Sequence, residues 1–419
     1  MLCREITKCR ICGSDALETV LDLGTHAISD FVDVGELPDF APLELCQCAG
    51  CGLVQLRHTV DRDRLYRRYW YKSGTNETMV AALRDVVEDA SSRVELRVCD
   101  CVLDIGSNDG TLLEMYPPHV YRYGFEPSDV APTGRRNTTI WPEYFPPSFK
   151  APSEWLGPKI ITSIAMFYDL DDPHAFVEGI KQWLHPEGVW IVQFQDLWNM
   201  LACNGFDNVC HEHLLYLSAG PMARLLRSHG LQVEAMSNND TNGGSLRIIA
   251  KHGPVETSPL SRANLEADRE QLQVFARRVE QNKRDALIWL RDLKRQGMRV
   301  YGYGASTKGN TLLQYYGIGP DLVTAIADRN PDKWGKRTVG TNIPIISEDE
   351  MRAARPDFLL CLPWHFVEGF RQRERALLES GTQFIVPLPI LRTLGLPEVD
   401  HANCEQRVSA APVGANAAG

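Results

Sequence analysis

Residues 102–110 read VLDIGSNDG, followed by TLLEMY. A short apolar run, two glycines and a pair of leucines (Leu112, Leu113) spell strand, turn and helix in that order. Asp104 stands near the strand end, and Gly106 and Gly110 shape the turn. The spacing Gly-x-x-x-Gly differs from the Gly-x-Gly-x-x-Gly that cradles a pyrophosphate, which speaks against a dinucleotide. About twenty positions later Glu126 ends the next apolar segment, YRYGFEP, where a carboxylate can accept both hydroxyl protons of a ribose. An adenosine carrying no phosphate suits such a turn better than a nucleotide does. The bland reading is a packing turn with an incidental glutamate.

Outward from this unit the alternation continues. Residues 76–95 have helical spacing at Met79, Leu83, Val86, Val87 and Ala90, and KIITSI and GVWIVQFQ are apolar runs flanking the helical PHAFVEGIKQWL. Buried strands alternating with helices predict a parallel, doubly wound sheet. A long amphipathic helix is expected from about Ser261 to Gln296, ended by Gly297. MRVYGYGAS then opens a second strand–turn–helix unit, continued by LVTAIADRN, PDFLLCLP and QFIVPLP. The expected class is α/β. It comprises a cysteine-rich, zinc-binding N-terminal ribbon (1–75), a Rossmann-like domain (76–255), a second Rossmann-like domain (256–396) and a disordered tail (397–419).

The chain has 419 residues, 44% of them hydrophobic, with a formal charge of −10. That charge argues against broad binding to nucleic acid or an anionic membrane. No run approaches eighteen apolar residues, and MLCREITKCR lacks the apolar core of a signal peptide, so a cytoplasmic location is expected. In a reducing compartment, twelve cysteines are free thiols or metal ligands rather than a disulfide framework. CRIC (Cys9, Cys12) and CAGC (Cys48, Cys51) form paired Cys-x₂-Cys knuckles, each followed by glycine. Four thiolates fill a tetrahedral zinc shell, so the metal would be structural rather than catalytic.

DNVCHEHLLYLS (207–218) gathers a thiol, two imidazoles and a carboxylate. A zinc-protease His-Glu-x-x-His is excluded, because His211 and His213 are two apart. Three readings stay open: a second metal site with Cys203 and Cys210, a polar turn, or an acid–base centre. In the last, a neutral imidazole removes a proton α to a ketone and leaves a nucleophilic carbon.

YGYGASTKGNTLL places Gly302, Gly304 and Gly309 with the last glycine one place too late for the dinucleotide fingerprint. Backbone amides at the helix start, with Ser306, Thr307 and Lys308, suit an anion. Asp328 has two readings, a nucleotide contact or a cap on the next turn. Asn242 of NGGSLR sits either at a site rim or in a plain hairpin turn. His365 of PWHF reads as a packed histidine.

The glycine turn with its acidic partner resembles motif I of class I S-adenosylmethionine (SAM)-dependent methyltransferases. Nearly end to end, the chain also resembles the zinc-containing deoxysugar C-methyltransferases. The resemblance rests on the paired knuckles, YWYKSGTNETM (69–79), VLDIGSNDG, SIAMFYDLDDP (163–173), FDNVCHEHLLYLS (206–218), NGGSLR, YGYGASTKGNTLLQYYGI (301–318), DRNPDKWGKRTVGTNIPI (328–345) and CLPWHF (361–366). It implies methylation of a nucleotide-linked keto-deoxysugar, with His213 as general base, Glu212 beside it and Tyr71 near the sugar. It also implies that the C-terminal domain holds the nucleotide diphosphate. Cys210 stands where the family has an aromatic residue, and Tyr168 or Phe167 stands where it has a histidine, so the resemblance does not fix the sugar, the methylated carbon or the position of the ketone. The cofactors implied are SAM and zinc, the partner is a small nucleotide-sugar, and the assembly is a monomer or homodimer. The competing classes are an NAD-dependent nucleotide-sugar oxidoreductase or epimerase, and a non-catalytic zinc-ribbon binding protein.

Overall fold

A computed structural model describes residues 2–132, 137–149, 155–253 and 269–396. The expected tail and the first residues of the expected long helix lie outside these. Three sheets carry the molecule, and the segment around His213 touches elements of all three.

The central sheet has seven strands in the order Leu231–Asn239, Ser245–His252, Val189–Gln195, Ile160–Ile164, Cys101–Ile105, Tyr121–Phe125, Thr138–Trp141. The last five are parallel. Every residue of Cys101–Ile105 is buried, as a strand covered by helices on both faces requires. Strand Cys101–Ile105 has the next strand in sequence on one side and a later one on the other. Its carboxyl end is therefore a topological switch point, where open α/β sheets bind ligands. The sheet departs from the all-parallel expectation at one edge. There NGGSLR closes an antiparallel hairpin, Leu231–Asn239 with Ser245–His252.

The second α/β sheet repeats the plan, in the order Ile345–Ser347, Ile326–Asp328, Val300–Tyr303, Phe358–Cys361, Gln383–Val386, Arg392–Leu394. Its first five strands are parallel, and Val300–Tyr303 lies at a second switch point. Helix Arg269–Arg295 buries Leu272, Phe275, Val279, Ala286, Leu290 and Leu293 on one stripe and stops at Gly297, whose amide bonds the Lys294 carbonyl at 3.0 Å.

The N-terminal sheet is antiparallel, running Leu17–Ala27, Phe40–Cys48, Val54–Leu56 and then Leu215–Tyr216. The fourth strand comes from the central part of the chain, immediately after His213. Further stitches bind this ribbon to the C-terminal domain: Phe31–Val32 pairs with Arg337–Thr338, and Gln314 bonds Ala27 through both backbone groups. Among the described residues no helix is long and apolar enough to cross a membrane.

Candidate active site

At the first switch point the turn is built around Glu126. Its two carboxylate oxygens accept the amides of Asn108 at 2.8 Å and Ser128 at 2.9 Å, which locks the turn to the end of the second strand. Gly106 has φ +73°, and a Cβ there would press on Met166 at 3.0 Å, so only glycine leaves the crevice open. Asn108 reaches the other way, donating to the Tyr71 carbonyl and accepting from the Ser73 amide, both at 3.0 Å. Tyr71, 40% exposed, is thereby held over the turn. A backbone cradle without a diphosphate loop, with a carboxylate at its end, fits the adenosine and amino-acid parts of SAM. Asp104 is not on the cleft wall. It lies behind the turn, takes a hydrogen bond from Thr162 at 2.6 Å, and burial pushes its carboxyl up to about 7. Gly110 likewise stands behind the wall, capping the short helix Thr111–Glu114.

The second switch point repeats this construction. Asp328 accepts the amides of Ala305 and Asn330, each at 2.8 Å, and Lys333 lies 3.4 Å away. Ser306 caps the helix Thr307–Tyr316 by accepting the Gly309 amide at 3.0 Å, so its oxygen is partly spent on structure.

Between the two turns lies one cleft of about 2010 Å³. It is lined by Tyr71, Gly106, Glu126, Tyr168, Cys210, Glu212, His213, Asn242, Ser306, Thr307, Lys308 and Asp328. The structure thus brings together residues spread over most of the chain. The two histidines part company at a tight turn over 211–212, in which the His213 amide bonds the Cys210 carbonyl at 3.1 Å. His211 is buried, with Nε2 3.0 Å from the Ala41 carbonyl of the N-terminal sheet, and serves as an anchor. His213 points the other way, into the cleft. Its Nδ1 donates to the Asn208 carbonyl at 2.9 Å, which leaves Nε2 with a free lone pair. The edge of Tyr168 packs on the ring at 4.5 Å between centroids. Burial, reinforced by the Lys308 ammonium, lowers the His213 imidazole to about 3, so the ring is neutral at any working pH. Glu212 goes the opposite way, up to about 7 through burial.

Sequence reasoning missed three contributors. Asp207 accepts from Trp364 Nε1 at 3.0 Å, which clamps the Cys-His-Glu-His segment to the C-terminal domain. His365, read as packed, does pack against Gly243, where a Cβ would meet the ring at 2.2 Å, yet it also lines the cleft. Asp169 lines it too and lay unnoticed inside SIAMFYDLDDP. An acidic residue just past a strand end, at the known carboxyl edge of a parallel sheet, was the available signal.

The four knuckle cysteines converge. Their sulfurs all lie within 4.8 Å of one another, with Cys9–Cys51 at 3.6 Å and Cys12–Cys48 at 3.4 Å. Sulfurs around a tetrahedral zinc with ~2.3 Å bonds stand about 3.8 Å apart, so the set fits the metal closely. Among the described residues no other group of three or more His, Cys, Asp or Glu ligand atoms clusters this way, which leaves the second-metal reading of Cys203 and Cys210 without support. The knuckle also docks on the active site. Arg10 bonds Asp171 at 3.2 Å and the Leu56 carbonyl at 2.7 Å, and His174 Nε2 donates to the Ile11 carbonyl at 2.7 Å.

A glycine turn and acidic strand end at a switch point, joined to a four-cysteine zinc ribbon, define a SAM-dependent methyltransferase. Profiles of a zinc binding domain, a methyltransferase domain and a C-methyltransferase C-terminal domain match residues 9–66, 75–236 and 240–389 in turn. The C-methyltransferase NovU of Streptomyces niveus is 30% identical over 417 residues, covering 93% of this chain and 97% of the relative. The chain belongs to this zinc-containing, SAM-dependent C-methyltransferase family. Solved structures similar to part of it include the plantazolicin methyltransferase BpumL in complex with SAH. That match has 13% identity and a TM-score of 0.34, and covers 43% of this chain and 88% of that one. Another is the magnesium protoporphyrin IX methyltransferase ChlM of Synechocystis PCC 6803 with bound SAH. It has 11% identity and a TM-score of 0.34, and covers 46% of this chain and 93% of that one.

Proposed function

We propose that this C-methyltransferase acts on a nucleotide-linked keto-deoxysugar, or a close analogue, through an enolate formed by His213. The observation that carries the reading is the tautomer of His213. With Nδ1–H committed to the Asn208 carbonyl, Nε2 is a neutral base inside the cleft that also holds the SAM turn. Methylating carbon requires that carbon first to lose a proton, and a ketone makes an adjacent C–H acidic enough for an imidazole to remove it. SAM, when bound, supplies the electrophilic methyl. Glu126 and the Gly106 turn hold its adenosine, and Tyr71 is positioned by Asn108 between that turn and the sugar. Tyr168 and Cys210 shape the pocket beside the base. Ser306, Thr307 and Lys308 face the sugar's phosphates from the helix start, and Asp328 stands at the nucleoside end. Asn242 closes the rim opposite. The four cysteines, Cys9, Cys12, Cys48 and Cys51, hold zinc for structure alone.

The test is incubation with SAM and a panel of nucleotide-linked 4-keto sugars, read by mass for one added methyl. His213→Asn should bind SAM normally and form no product. Full turnover by that variant would remove His213 from the mechanism.

A further inference from the structure

Asp169 ends the one-turn 3-10 helix Phe167–Asp169, beyond the carboxyl end of strand Ile160–Ile164. Its neighbour Tyr168 is tied to the His213 segment twice, by the edge contact on the imidazole and by a 2.8 Å bond from the Leu214 amide to the Tyr168 carbonyl. That backbone bond sets residue 169 alongside Glu212 and His213. Asp169 is among the residues that line the cleft, and its Oδ1 is buried with no hydrogen-bond partner. An ionised carboxylate in such a place costs several kcal/mol unless something neutralises it. No lysine or arginine is paired with it among the described residues. The titratable groups near enough to feel its charge are Tyr66, Tyr69, Tyr168, Cys210, Glu212 and Tyr216, none of them a cation. Burial first, and the Glu212 carboxyl second, push Asp169 well above the ordinary carboxylate range, which favours its protonated form.

We propose that Asp169 is the catalytic acid of the enolisation, donating a hydrogen bond to the substrate ketone while His213 takes the α-proton. The proposal rests on the keto-sugar reading above. An imidazole removes an α-proton faster when a donor stabilises the charge that builds on the carbonyl oxygen, and pairs of groups with oppositely displaced acidities mark the acid and the base. The step balances within the cleft. The C–H pair becomes the new C=C bond and the C–H proton goes to Nε2. The carbonyl π pair moves onto oxygen, which the Asp169 proton stabilises or protonates. When the carbonyl reforms at the end of the cycle, that proton returns to Asp169, and the His213 proton passes to solvent.

The test reads enolisation without methyl transfer. dTDP-4-keto-6-deoxyglucose and its UDP counterpart are incubated in D₂O with enzyme and S-adenosylhomocysteine, and deuterium uptake at the carbon α to the ketone is followed by NMR. Asp169→Leu should slow exchange about 10²–10³-fold, the usual cost of losing one oxyanion donor. Asp169→Asn, which keeps a donor but cannot ionise, should recover much of the rate. Because the acid form is lost as pH rises through the carboxyl's value, wild-type exchange should fall at high pH and the Asn variant should lack that limb. Melting temperature and S-adenosylhomocysteine affinity should be unchanged in both variants. No exchange by the wild type on either sugar overturns the keto-sugar reading, and this proposal with it. Wild-type exchange that survives Asp169→Leu within about threefold, or an unchanged alkaline limb in Asp169→Asn, overturns this proposal alone.

Discussion

Replacing Glu126 by Gln changes one atom and breaks an arrangement that a neutral amide cannot reproduce. In the native protein both carboxylate oxygens are acceptors, for Asn108 N at 2.8 Å and Ser128 N at 2.9 Å, and the side chain is buried. A glutamine can offer its carbonyl to one of these amides, but its NH₂ must then face the other. That leaves a buried N–H unpaired at a cost of about 1–3 kcal/mol, and the surviving bond loses its charge assistance, about 1 kcal/mol more. The sum is about 3 kcal/mol. For a domain of this size each kcal/mol shifts the melting point by about 2–4 °C, so the central domain should melt about 6–12 °C lower. The same carboxylate is the acceptor proposed for the ribose hydroxyls, so SAM should bind about a hundredfold more weakly, the equivalent of ~2.7 kcal/mol. Differential scanning calorimetry and titration calorimetry with SAM measure the two effects separately. A variant that melts within about 2 °C of wild type and binds SAM within about threefold would refute the account of this turn.

Stripping zinc with a chelator, or Cys48→Ser, should release about one metal per chain, and metal analysis checks the count. Because Arg10 and Ile11 inside the first knuckle dock on Asp171 and His174, methyl transfer should fall with the metal and return on adding zinc. His26 and His211, both buried where the N-terminal sheet meets the His213 segment, are held down to about 4 by desolvation. Above about pH 6.5 both are neutral, folded or unfolded. As pH falls toward 4 only the unfolded chain takes up protons, so at pH 5 each removes about 2 kcal/mol of stability. In denaturant titrations the stability of wild type relative to His211→Gln should fall by about 2 kcal/mol between pH 7 and pH 5, because the buried Asp104 and Glu212 carboxyls and the His213 ring titrate alike in both proteins. An unchanged difference between the two proteins would contradict this burial effect.

The contiguous sequence decided a good deal. VLDIGSNDG with Glu126, and GASTKGN with Asp328, each form a strand, turn and acid within a few tens of residues, and local backbone rules shape such units wherever they occur. The paired knuckles are equally local, because a Cys-x₂-Cys turn presents two sulfurs whatever surrounds it. Strand–helix alternation carried the two α/β domains for the same reason. What only the tertiary structure decided was which polar groups face one another. The turn at 211–212 sends His211 to the Ala41 carbonyl and His213 into the cleft, a split that spacing could not resolve because the segment is neither helix nor strand. Asp104, placed by its motif at the site, proved to lie behind it, since side chains alternate across a strand and only one face meets the cleft. Asp169, Asp207 and Lys308 gained their significance from neighbours tens to hundreds of residues away. The acidity of a side chain depends on the water and charge within a few ångströms of it, and those distances come into being only when the three sheets close around one loop.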